Sequence, residues 1–192
     1  MDLKIPSLPK VAIGWRKALT AVGVAALVVA VVFIGWTLFT VYTEERQVAA
    51  FGSHVAASEA DLARVSGLVA SHLGSRPDRL SVAGADASMR EFAAIADHGR
   101  AVTAYHRGII GADTVPEAYA GAQSAYIRAL DHLNRAFSLW SSAATAYNAN
   151  ACTAAEENLA RADQAWGEYA LAVGDYDREL RAAEEGGEAP PV

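Results

Sequence analysis

Apolar positions follow two different patterns along this chain. From Ala18 to Tyr42 (ALTAVGVAALVVAVVFIGWTLFTVY) they make an unbroken run of 25 residues without a single charge. About 20 apolar residues suffice to cross the hydrocarbon core of a bilayer. The run therefore predicts a membrane anchor, a transmembrane helix over residues 18–43. A cleaved signal peptide fits less well, because its apolar region is only about 7–15 residues long.

Beyond Tyr42 the pattern becomes periodic. Val48, Phe51, Val55, Ser58, Leu62, Val65, Val69 and His72 advance by alternating steps of three and four, which places them on one face of a helix. No proline or turn cluster separates that helix from the anchor, and Gly74-Ser75-Arg76-Pro77-Asp78 ends it. Three S/T-x-x-E sequences follow: Ser88 to Glu91, Thr114 to Glu117 and Thr153 to Glu156. In such a box each side chain satisfies the other's free backbone N–H, so it marks a helix start. Each stands directly before an apolar stripe. The second helix carries Met89, Phe92, Ile95, Gly99 and Val102, and the third carries Tyr126, Leu130, Leu133, Phe137, Trp140 and Tyr147. The fourth carries Leu159, Ala162, Trp166, Tyr169, Val173 and Tyr176.

The predicted fold is all-α: a single N-terminal transmembrane helix continuing into an antiparallel four-helix-bundle-like extracytoplasmic domain at 44–183. Its helices fall near 44–73, 88–107, 115–148 and 153–182. Residues 1–17 form a short cytoplasmic N-terminus, and 184–192 (EEGGEAPPV) lack apolar periodicity and read as a disordered tail. The stripes are rich in Ala, Gly and Tyr, which allow close helix approach but bury little apolar area.

Charge sets the orientation. Lys4, Lys10, Arg16 and Lys17 face one acid, Asp2, before the run, while Glu44 and Glu45 follow it. Basic flanks stay on the cytoplasmic side, so the long C-terminal part is expected outside the cell membrane. The whole chain carries −6, and because the first 17 residues contribute +3, the remainder carries −9. So acidic a domain is a poor partner for nucleic acid, which calls for clustered Lys and Arg.

Candidate chemistry is sparse. No Glu-x-x-His, His-Glu-x-x-His, Cys-x-x-Cys, Gly-x-Ser-x-Gly or Gly-rich phosphate loop occurs. His54, His72, His98, His106 and His132 are expected at or near the surface, and neither a metal nor another cofactor is expected. Cys152 is the only cysteine, so it cannot form a disulfide within the chain and is a candidate intermolecular thiol. Ile109 and Ile110, between Gly108 and Gly111, fall at a corner expected near the bilayer. They are candidates for contact with a partner or the membrane, or else a plug for the bundle's end.

These features predict a non-catalytic single-pass membrane protein. Its expected partners are the bilayer, through 18–43, and a membrane protein or a second copy of itself. The leading expectation is an accessory or scaffolding subunit of a membrane or envelope complex. The alternative is a sensor-like ligand-binding module, which calls for a pocket among the tyrosines and Trp140 or Trp166.

Overall fold

A computed structural model describes residues 14–74 and 82–187 of the chain, with side chains from Val41 onward. Four helices account for nearly all of it: α1 (Gly14–Gly74), α2 (Val82–Ala112), α3 (Ala120–Asn148) and α4 (Cys152–Gly187). No strand occurs among the described residues. The chain divides into two compact units, residues 1–45 and residues 46–192. In the first, the described residues are the opening part of α1. Among the described residues no helix is long and apolar enough to cross a membrane. The side chains of 14–40, which hold nearly all of the apolar run, lie outside that description, so the anchor rests on the sequence.

The second unit is a helical bundle whose core follows the predicted stripes. Phe51, Val55, Ser58, Val65 and His72 of α1 are buried. Phe51 and Val55 join Ile110, Ala122, Ala125, Tyr126, Leu130 and Tyr176 in one cluster. Val65, Leu133 and Phe137 form another. Alanines do much of the filling: Ala122, Ala125, Ala129 and Ala136 of α3 and Ala162, Ala165 and Ala172 of α4 are at most 4% exposed. α3 packs chiefly on α4 and next on α2. Small side chains let these helices come close, so the bundle relies on contact density where it lacks large apolar area.

At one crossing even a methyl group is too large. A Cβ added to Gly99 of α2 would stand 2.7 Å from the Phe137 ring of α3. Beside it, Asn134 Nδ2 donates to the Arg100 carbonyl and to Thr103 Oγ1, both at 2.8 Å. Thr103, itself fully buried, donates back to its own helix at the Gly99 carbonyl, 3.0 Å away. Close approach and satisfied polar groups thus coincide at the α2–α3 contact.

The capping boxes mark the neighbourhoods of the helix starts but not the starts themselves. α2 begins at Val82 rather than at 88, and Gly84, Ala85 and Asp86 are half-buried, so packing extends the helix beyond its sequence signal. Ser88 therefore lies within α2, and its hydroxyl meets His72 Nε2 at 3.2 Å. Pro116 opens a short 3-10 turn, Glu117–Tyr119, with no side-chain cap, and α3 starts only at Ala120. Thr153 is the second residue of α4. The tail expectation also shifts, because α4 continues to Gly187, and 188–192 lie outside the described residues.

Between α3 and α4 the turn is three residues long. Ala151 N–H donates to the Ala146 carbonyl and Asn150 N–H to the Tyr147 carbonyl, both at 2.9 Å. Asn150 adopts φ 58°. This is a Schellman closure with asparagine, which tolerates left-handed backbone, in the position glycine usually takes.

Candidate functional site

Three helices of the second unit leave a cleft of ≈ 370 Å³ between them. From α3 come Tyr126, Leu133, Phe137 and Trp140, and from α4 come Trp166, Tyr169, Val173 and Tyr176. Both sets fall at helical spacing on the apolar stripes, so the two helices turn their largest rings the same way. The facing side of α1 offers Leu62 and Val69, but also Ala63 and Ser66. Small residues opposite large rings leave the gap unfilled.

Stacked rings frame it. The Trp140 and Trp166 rings lie 5.6 Å apart at 25°, and Tyr169 follows 5.5 Å from Trp166. At the other end Tyr126 and Tyr176 meet edge to face at 5.0 Å. Aromatic pairs at these separations attract beyond simple burial, by about 0.5–1.5 kcal/mol each. Trp166 nonetheless remains 42% exposed, so the cleft opens to solvent along that side.

Two carboxylates, Glu59 of α1 and Asp177 of α4, complete the lining, and both are exposed. Among the described residues no arginine, lysine or histidine lines the cleft. Burial pushes the Tyr126 phenol from 10.0 up to about 12; Ser58 beside it pulls in the opposite direction, and the Glu59 charge adds to the rise. Burial also raises Tyr169 and Tyr176, and Glu59 is the next cause for both. Glu59 therefore acts on all three phenols, and at neutral pH they are uncharged rings around an anion.

Comparison with family models, curated proteins and solved structures gives no match. What the site can do has to be read from its own geometry.

The residues singled out from sequence lie elsewhere. Ile110 is wholly buried in the cluster with Phe51 and Tyr126, so it fills the core. Gln123 of α3 fixes the same corner by donating to the carbonyls of Ile110 (2.7 Å) and Asp113 (2.8 Å) at the end of α2. Ile109 is half-buried. Cys152, the first residue of α4, is an exposed free thiol.

Three of the five histidines, His54, His98 and His132, are exposed or half-buried as expected, and two depart from that. His72 and His106 are buried, at 6% and 3% exposed. His54 pairs with Asp113 at 2.9 Å, His106 with Asp61 at 2.9 Å, and His72 reaches Glu91 at 3.4 Å. His106 and Glu91 lie on α2 and Asp113 just past its end, and the partners descend in number as α1 ascends, which is the order an antiparallel pair imposes. A fourth pair, His132 with Glu168 at 3.0 Å, joins α3 to α4. Sequence spacing within one helix gave no sign of these pairs, because each acid sits on the neighbouring helix. Among the described residues no group of three or more His, Cys, Asp or Glu is placed to hold a metal ion.

Glu59, Asp177, Ala63 and Ser66 were also missed as a site. The signal was present: Glu59, Ala63 and Ser66 repeat at four and three, one position along from the stripe residues Ser58, Leu62 and Val65. That spacing names a helix face. It does not say that the face looks into a gap.

Proposed function

We propose that this chain is a non-catalytic, single-pass membrane protein whose helical domain binds a small ligand in the aromatic cleft. The apolar run at 18–42 supports an anchor, and the basic residues before it support a cytoplasmic N-terminus with the bundle outside. The observation that carries the binding reading is the cleft itself. Its ≈ 370 Å³ lies within the range of small-molecule sites, and it combines apolar walls with a few polar groups.

A second reading, an accessory subunit of a membrane or envelope complex, is favoured by another feature. Tyr147 and Leu159 stay 43% and 44% exposed beside an apolar groove of ≈ 330 Å³ formed with Met89, Phe92, Ala144 and Ala155. Exposed apolar rims of this kind suit a protein contact.

One experiment separates the two. The full chain in mild detergent is screened by thermal melting against small amphiphilic organic molecules, beside an Ala63→Trp variant that fills the cleft from an exposed position. A true ligand at about 100 times its Kd stabilises by about 2.7 kcal/mol, which raises Tm by roughly 5–10 °C. The variant should melt like the parent alone and lose the ligand-induced rise. If every compound leaves Tm unchanged while a larger membrane assembly co-purifies in stoichiometric amount, the accessory-subunit reading takes its place.

A further inference from the structure

We propose that the cleft takes an alkylated ammonium ion, held against the rings of Trp140, Trp166 and Tyr169 with Glu59 and Asp177 at its mouth. The inference rests on the binding reading above and names the ligand's chemistry.

The walls supply the first argument. Ring faces carry negative potential, and a cation within about 6 Å of a ring centre is attracted to it, most strongly by tryptophan. Trp140, Trp166 and Tyr169 all line the cleft, the two indoles stacked 5.6 Å apart and the phenol ring 5.5 Å from Trp166. The phenols stay uncharged at neutral pH, so they contribute ring faces and no charge.

Charge supplies the second. Glu59 and Asp177 make no ion pair among the described residues, and several basic side chains of the bundle are paired with other acids. Arg64 binds Asp61 at 2.7 Å, while His132 and Arg135 both lie against Glu168. No lysine occurs anywhere after Lys17. The described lining holds these two carboxylates and no basic side chain, and an anionic ligand would meet both of them.

Hydration supplies the third. A metal ion or a primary ammonium holds its water tightly and gains little from an apolar wall. Alkyl groups on nitrogen spread the charge and weaken hydration, so such an ion can leave water for aromatic faces. A neutral apolar molecule would fit the walls but leave both carboxylates without a partner.

The test uses the full chain in detergent micelles, with choline as the cation and its uncharged carbon isostere, dimethylbutanol, as the control. Binding is measured by calorimetry and by ligand-detected saturation-transfer NMR. Choline should bind at least about tenfold more tightly than the isostere. Glu59→Gln and Asp177→Asn should each weaken choline severalfold, and added salt should do the same, without altering the isostere. Trp166→Leu, at a half-exposed position, should cost choline about tenfold. Circular dichroism confirms that each variant is folded. Equal binding of choline and isostere would overturn the cation proposal and leave the cleft as an apolar binding site. Binding of neither would overturn it as well, while the wider melting screen decides the binding reading on its own.

Discussion

Gly99 and Gly108 both sit inside α2, and helix propensity alone treats them as the same weak point. Alanine in place of a helical glycine gains up to about 1 kcal/mol of propensity. At Gly108 nothing lies within 4 Å of the added methyl, so Gly108→Ala should raise stability by that amount. At Gly99 the methyl would stand 2.7 Å from Phe137, a buried ring packed against Trp140. Overpacking of this kind costs about 1–3 kcal/mol, which outweighs the propensity gain. Gly99→Ala should therefore lower the denaturation midpoint while Gly108→Ala raises it. Equal shifts for the two would show that α2 and α3 do not approach as closely as described.

Among the elements, the α3–α4 hairpin depends most on one backbone angle. Asn150, at φ 58°, closes it, and the Ala149 and Ala151 on either side bring no side-chain bonding of their own. A non-glycine residue held there without asparagine's local hydrogen bonding costs about 1–2 kcal/mol. Asn150→Ala is thus expected to destabilise by about 1 kcal/mol or more, and Asn150→Gly to be neutral or mildly stabilising, in urea melts. The same hairpin illustrates what was legible. The stripes of α3 and α4 were readable because a 3.6-residue period is written into the order of residues. The starts of α2 and α3 were not, because half-buried residues such as Ala85 extend α2 ahead of its capping box, and a 3-10 turn intervenes between Pro116 and α3.

On the scale of the whole molecule, the tyrosine cluster links the bundle's stability to alkaline pH. Tyr126, Tyr169 and Tyr176 are each harder to ionise in the folded state than in the unfolded chain, so folding favours their neutral forms. A raised folded-state pKa gives stability that is complete below the unfolded value and is lost as pH rises through the folded one. For Tyr126 that window runs from 10.0 to about 12. The urea midpoint should therefore hold steady up to about pH 10 and then fall, and Tyr126→Phe should flatten the fall. A fall of the same steepness in the variant would mean that the phenol is not sheltered in the fold. Because the same phenols border the cleft, ionising them also brings negative charge beside Glu59.

The all-helical class, the four helices and most of the core followed from sequence alone, because hydrophobic period and side-chain size are properties of residue order. The tyrosines and tryptophans could even be named as the place to look for a pocket. Tertiary structure alone decided which stripe residues close the core and which border a gap. Ile110 is enclosed because Phe51 and Gln123 come to it from other helices, whereas Trp166 stays open because α1 brings Ala63 and Ser66 to the same cleft. The His–carboxylate pairs between α1 and α2 and the two free acids at the cleft mouth arise in the same way. Each depends on which residue a neighbouring helix places opposite, and that distance is fixed only when the helices pack.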